Sequence, residues 1–212
     1  EDEIVSFVED KKTLVKKLLA RGAAVSFDGV LVDHYFDLKN GSAPERFGDW
    51  PRIRELRHSD GNVRYEFTLK TGFTAGRKNS LVADENIVPL SSLEEGHEVM
   101  SALLGVSADE SFVWNTITKN RMTLKTGRVS VSIDTFHNSL ITGITEPGMF
   151  VSRHVNHSDL PIVAEFEVLY GRAENVDEET EIQSLIAERD ELMDSVGSRP
   201  APDGITNIST IQ

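Results

Sequence analysis

Val63-Arg64-Tyr65-Glu66-Phe67-Thr68-Leu69-Lys70 decides the fold, because its apolar and polar residues alternate without a break. Successive side chains of a strand point to opposite faces, so Val63, Tyr65, Phe67 and Leu69 share one face and Arg64, Glu66, Thr68 and Lys70 the other. The same period returns at residues 128–134, where Val129, Val131 and Ile133 oppose Arg128, Ser130, Ser132 and Asp134. It returns again at residues 164–168, where Glu165 and Glu167 alternate with Ala164, Phe166 and Val168. Glu1 and Glu3 share a face, as do Arg52 and Arg54, and as do Lys119, Arg121 and Lys125. A half-buried antiparallel sheet with one wet side is the ordinary cause of such patterning. Here, however, carboxylates gather on some strands and bases on others, whereas solvated faces usually mix signs. A closed or nearly closed barrel with helices over its apolar outside turns those faces inward, giving a lumen with an acidic wall and a basic wall. Such a lumen suits a polyphosphate with a divalent metal: Arg forks and Lys point charges grip phosphate oxygens, and carboxylates ligate Mg²⁺ or Mn²⁺.

Outward from that stretch, Asp60-Gly61 is a hairpin signal joining strands expected at 51–57 and 62–71. Further strands are expected at 1–9, 24–37, 81–90, 112–124, 128–136, 148–153 and 162–170. Leu14, Val15, Leu18 and Leu19 recur at helical spacing before Gly22, which predicts a helix over 11–21. Ser91-Ser92 with Glu94 and Glu95 opens a second helix, whose apolar stripe is Val99, Leu103 and Leu104 and whose stop is Gly105. A third is expected over 178–194, with Ile182, Leu185, Ile186 and Leu192 on one side. Residues 137–161 read as a long connection, and 197–212, with two prolines and two glycines, as a mobile tail. The pentapeptide Thr68-Leu-Lys-Thr-Gly72 recurs as Thr123-Leu-Lys-Thr-Gly127, with no longer period behind it. The expected organisation is one barrel domain over 1–171, followed by an acidic helix and tail over 172–212.

The 212 residues are 39% apolar and 27% charged, which excludes collagenous, coiled-coil and disordered classes. Charged residues interrupt every apolar run before the roughly 18 residues a spanning helix needs, so no membrane partner is expected. With no cysteine there is no disulfide, thiolate nucleophile or Cys-held metal, and chemistry falls to carboxylates, His and Lys. The net charge is -13, and residues 173–212 carry ten acids against two bases, so the acidity is largely a property of the C-terminal part. A negative field disfavours nucleic acid and anionic membranes, which leaves phosphate-bearing partners to bind inside. The sequence begins at Glu1 and not Met; the cytoplasm is the default expectation for location. A homodimer is left open.

Several segments together resemble the CYTH superfamily, the triphosphate tunnel metalloenzymes, which include class IV adenylyl cyclases, thiamine triphosphatases and inorganic tripolyphosphatases. The elements are Glu1-x-Glu3, a helix ending Leu-Leu-Ala-Arg-Gly-Ala, Asp33-His-Tyr-Phe-Asp37, Arg52-Ile-Arg54, Thr68-Leu-Lys70, Lys119-Asn-Arg121, Val131-Ser-Ile-Asp134 and Glu165-Phe-Glu167. They span about residues 1–171. The resemblance implies an α+β fold, an eight-stranded antiparallel β-barrel or tunnel with helices packed outside. It implies that Glu1, Glu3, Asp134, Glu165 and Glu167 hold Mg²⁺ or Mn²⁺. Arg52, Arg54, Lys70, Lys119 and Arg121 would bind the triphosphate, with Lys70 and Arg54 catalytic. The activity implied is triphosphate hydrolysis, with nucleotide cyclisation and a non-catalytic binding role as alternatives.

Two positions depart from the family pattern. Val5 stands where Glu-x-Glu-x-Lys calls for Lys. The fifth strand reads Arg77-Lys78-Asn79-Ser80-Leu81, with Asp84 and Glu85 out of step with the usual alternating glutamates. His137, His154 and His157 have no metal-ligand spacing, and Asp33 and Asp37, flanking aromatics, read as strand terminators.

Overall fold

A computed structural model describes residues 2–38, 51–75, 81–105, 107, 111–137, 140–146, 149–154, 162–170 and 175–200. Eight antiparallel strands form one curled sheet: β1 (Asp2–Val8), β2 (Ala24–Leu38), β3 (Arg52–His58), β4 (Val63–Ala75), β5 (Leu81–Leu90), β6 (Ser111–Thr126), β7 (Val129–His137) and β10 (Ile162–Val168). Around the ring they run β1-β10-β7-β6-β2-β3-β4-β5. The ring shuts through a short seam, since β1 meets β5 only at the pairs Asp2–Val82 and Glu3–Leu81. Register shifts in β2 at Val25/Phe27 and Tyr35/Phe36, and in β4 between Thr71 and Thr74, bend the longest strands around the barrel.

Helices cover the apolar outside. Asp10 caps α1 (Lys11–Ala20) by accepting from the Lys12 and Thr13 amides, and Leu14 and Leu18 are its buried residues. α1 shares one core with β1, β7, β10 and α3 (Val176–Val196), in which Ile4, Leu18, Ile133, Phe166 and Met193 are fully buried. Asn175 caps α3, extending it two residues ahead of the expected start at 178. Arg189 on α3, wholly buried, donates to the Asp2 carbonyl at 3.0 Å and to the Asp2 carboxylate, which ties the helix to the first strand.

α2 (Leu93–Leu104), capped by Ser92 and stopped by left-handed Gly105, lies over a second core of Phe36, Ile53, Phe67 and Met100. The expected stripe is corrected here, because Met100 is buried while Leu103 is half exposed. Gly96 lets the helix approach closely, since a Cβ there would come within 2.3 Å of Ile53 Cδ1, while Leu103, one turn beyond Met100, stands half exposed. The connection at 137–161 is corrected in part: the strand expected at 148–153 is observed as β9 (Met149–His154), and it pairs with an unexpected β8 (Leu140–Glu146) in a two-stranded antiparallel sheet. The expected tail lies outside the described residues beyond Pro200, which bridges to Ser6. Among the described residues no helix is long and apolar enough to cross a membrane.

Candidate functional site

Because Ile4, Val131, Ile133, Phe166, Leu124, Phe36, Ile53 and Phe67 face the helices, the residues one step away on each strand face the lumen. Around the ring these are Glu3 and Val5 on β1, Glu165 and Glu167 on β10, Ser132 and Asp134 on β7, and Lys119 and Arg121 on β6. Asp33 and Tyr35 on β2, Arg52 and Arg54 on β3, and Thr68 on β4 complete the wall, with Glu85 on β5 joined to Arg52. Register sets the neighbours: Glu3 is opposite Glu167, Val5 opposite Glu165, Arg121 opposite Asp134, and Asp33 opposite Arg54. The acids of β5, β1, β10 and β7 are contiguous, and the bases of β6 and β3 flank Asp33. The charge is therefore sorted into sectors inside a curled sheet.

These groups neutralise one another. Asp134, with no exposure, accepts from Lys119 Nζ at 2.6 Å and from Arg121 Nε and Nη2 at 2.7 and 2.5 Å. Arg121 Nη2 also donates to Glu165 Oε2 at 2.6 Å. Asp33, equally buried, accepts from Arg54 Nε and Nη2 at 2.8 and 3.2 Å and stands 3.9 Å from Arg52 Nε. Arg52 reaches Glu85 at 3.7 Å and donates to the Tyr35 hydroxyl at 3.5 Å. Burial pushes the Asp33 carboxyl up, but the Arg54 and Arg52 guanidiniums prevail and hold it well below the usual carboxylate range. Burial and the Arg121 charge push the Lys119 ammonium down from its ordinary value against the pull of Asp134; its Nζ also lies 5.5 Å from the Phe136 ring centre. Burial raises the Tyr35 phenol.

Among the described residues, two lumen donors are left over. Arg52 Nε and Thr68 Oγ1 are buried with no hydrogen-bond partner, and Arg52 and Thr68 are cross-strand neighbours. A buried polar group without a partner is costly, and a bound anion is one way to satisfy it.

The barrel thus brings together Glu3, Arg52, Arg54, Lys119, Arg121, Asp134, Glu165 and Glu167. Glu1 lies outside the described residues. Lys70 is described by its backbone alone, which pairs with Glu85 across β4 and β5. The acids offer only oxygen, the donor set of Mg²⁺ or Mn²⁺, and Glu3 opposite Glu167 is a like-charge pair that a cation would relieve. Among the described residues no three acidic or histidine side chains converge as a preformed ion site. A guanidinium nitrogen already bridges Asp134 and Glu165.

Sequence reasoning missed Asp33 and Glu85 among the charged lumen residues, and assigned no role to Tyr35, Ser132 and Thr68 among the polar ones. Asp33, read as a strand terminator, sits mid-strand in β2 between the arginines. Glu85, read as out of step, faces Arg52. Val5, at 3% exposure, brings an apolar side chain to the acidic sector. His137 ends β7, the backbone of His154 ends β9, and His157 lies outside the described residues. A cavity of about 530 Å³ lies outside the barrel, between β1, α1 and the end of α3, and shares no residue with the charged lumen.

No family model matches the chain, and no curated protein matches it. Solved structures do. The fold is similar to that of a candidate adenylate cyclase from Vibrio parahaemolyticus, with a TM-score of 0.62 and 12% identity over 99% of this chain and 97% of that one. It is similar to HpAC1 from Hippeastrum, a candidate adenylyl cyclase with a dominant triphosphatase activity, with a TM-score of 0.56 and 12% identity over 97% and 94% of the two chains. It is also similar to a chain of the Schizosaccharomyces pombe Mediator head module, with a TM-score of 0.61 and 12% identity over 92% and 96%. At these identities the likeness concerns the fold.

Proposed function

We propose that the chain is a metal-dependent triphosphate hydrolase that draws a nucleoside triphosphate, thiamine triphosphate or inorganic tripolyphosphate into its lumen. The observation that carries this is the sorted interior, with Arg52 Nε and Thr68 Oγ1 buried beside the basic sector and, among the described residues, without a hydrogen-bond partner. Arg52, Arg54, Lys70, Lys119 and Arg121 hold the phosphates, and Glu3, Asp134, Glu165 and Glu167, with Glu1, hold Mg²⁺ or Mn²⁺. The bound ion supplies charge neutralisation on the phosphoryl oxygens. Arg54, kept oriented by Asp33, and Lys70 supply positive charge where negative charge spreads in the transition state, so positioning and electrostatics do most of the catalysis. Of the lumen groups named above, six are acids (Glu3, Asp33, Glu85, Asp134, Glu165, Glu167), and Glu66 opposite Arg54 adds another, against five bases with Lys70 counted. A triphosphate adds more negative charge, so this lumen binds one only together with a cation. The fold's likeness to HpAC1, with its dominant triphosphatase activity, agrees with hydrolysis.

A second reading, a non-catalytic phosphate or protein binder, draws on Val5 in the acidic sector and on the likeness to a Mediator head chain. Incubation with ATP, thiamine triphosphate and tripolyphosphate, each with Mg²⁺ or Mn²⁺, separates the readings. Released phosphate that disappears in both Glu165→Ala and Arg54→Ala supports hydrolysis. Cyclic nucleotide with pyrophosphate replaces it by cyclisation, and ligand binding with no product replaces it by the binder.

A further inference from the structure

Arg121 lies where a cation would. Its Nη2 atom is 2.5 Å from Asp134 Oδ2 and 2.6 Å from Glu165 Oε2, so one nitrogen bridges carboxylates of the adjacent strands β7 and β10. Nε adds a bond of 2.7 Å to Asp134 Oδ1. Asp134 Oδ2 also takes Lys119 at 2.6 Å, so it retains a cation if Arg121 leaves. Arg121 is nine-tenths buried, so these bonds are weakly screened by solvent. A hard divalent ion, with oxygen ligands at about 2.1 Å, needs the space between those two carboxylates that the nitrogen now fills. One notch therefore serves two cations, one at a time.

We propose that Arg121 is shared between the two halves of the site. Without ligand it is the internal counter-ion of Asp134 and Glu165; when a divalent ion takes those carboxylates, its guanidinium turns to the triphosphate. This rests on the reading of the lumen given above. A metal alone meets a competitor, and a triphosphate alone finds Arg121 engaged. Together each removes the other's obstacle, which makes their binding positively coupled and, by linkage, equally so in both directions. An arginine that only grips phosphate behaves differently, because removing it weakens the anion and leaves the metal alone unaffected.

The test is Mn²⁺ binding by the full chain, followed by the electron paramagnetic resonance signal of free Mn²⁺, with and without a methylene-bridged triphosphate that resists hydrolysis. Arg121→Met is expected to bind Mn²⁺ alone at least about fivefold tighter than wild type, the lower end of ordinary coupling strengths, and to lose the extra tightening the analogue gives wild type. Arg121→Lys keeps the charge but lacks the fork, and its Mn²⁺ affinity should fall between the two; circular dichroism checks that each variant folds. Arg54→Met, whose arginine is engaged by Asp33, should stay within about twofold of wild type for Mn²⁺ alone. Unchanged or weaker Mn²⁺ affinity in both Arg121 variants overturns the proposal, and so does an equal gain in Arg54→Met, which would mark a general charge effect. Failure of the analogue to bind any variant sinks the triphosphate reading itself, a result separate from the Arg121 comparison on Mn²⁺ alone.

Discussion

Replacing Asp33 by Asn removes one negative charge from the centre of the basic sector while keeping the side chain's shape. Asp33 is fully buried, bonded to Arg54 at 2.8 and 3.2 Å and 3.9 Å from Arg52. Its loss removes the carboxylate that Arg54 is bonded to and leaves Arg52 with only Glu85, at 3.7 Å, as a counter-ion. Removing one partner of a buried pair costs about 3–5 kcal/mol, and at about 2–4 °C per kcal/mol for a chain of this length the Tm should fall by roughly 6–20 °C. A triphosphate supplies the missing anion, so Mg²⁺ with tripolyphosphate should raise the Tm of Asp33→Asn more than that of wild type. Thermal unfolding followed by circular dichroism near neutral pH reads both numbers. A fall of less than about 2 °C refutes the reasoning, as does equal ligand stabilisation of the two proteins. The pH dependence has a definite sign. Because the arginines depress the native Asp33 pKa below its unfolded value of about 3.9, its contribution is complete above about pH 5 and is lost as pH falls through the native value. Wild type should therefore lose stability more steeply than Asp33→Asn in acid below that pH.

Three further outcomes follow from the same contacts. Val5→Lys places an ammonium opposite Glu165 on the inner wall and should raise kcat/KM for tripolyphosphate by about tenfold; unchanged activity in a folded variant contradicts the assignment of that wall. Thr68→Val removes a hydroxyl that has no hydrogen-bond partner among the described residues, so stability should hold or rise slightly while triphosphate affinity, read by titration calorimetry, falls by about five- to tenfold. Arg189→Met strands the buried Asp2 carboxylate beneath α3 and should lower unfolding free energy in urea by about 3 kcal/mol or more; a loss within error would mean that α3 docks through its apolar face alone.

The barrel was legible because most of its strands are half-buried, and a strand with one apolar and one charged face announces both its period and its orientation. That is why Arg52 and Arg54, Lys119 and Arg121, and Glu165 and Glu167 could be placed on common faces before any pairing was known. β2 gives no such signal. Val30, Leu31 and Val32 are consecutive apolar residues, and a register shift falls at Tyr35/Phe36, so the face of Asp33 cannot be read from alternation. Its partner Arg54 is adjacent only through the β2–β3 register. Glu85 was missed for a related reason, since its role comes from Arg52 reaching across from β3. The helix stripe on α2 was misplaced because the second core is met by Met100, with Leu93 and Val99 against it, and by the close approach at Gly96, and a glycine gives no hydrophobic signal. The Arg189–Asp2 tie joins residues 187 positions apart and leaves no local trace in the sequence.

Crystals grown with Mn²⁺ and a non-hydrolysable triphosphate, with data collected at the manganese absorption edge, give the most direct measurement. The account predicts anomalous density inside the barrel against Asp134 and Glu165, with phosphate oxygens reaching Arg52, Arg54 and the Thr68 hydroxyl and with Arg121 turned away from its two carboxylates. Density only on the outer surface, with the lumen's ion pairs intact under saturating ligand, would contradict it.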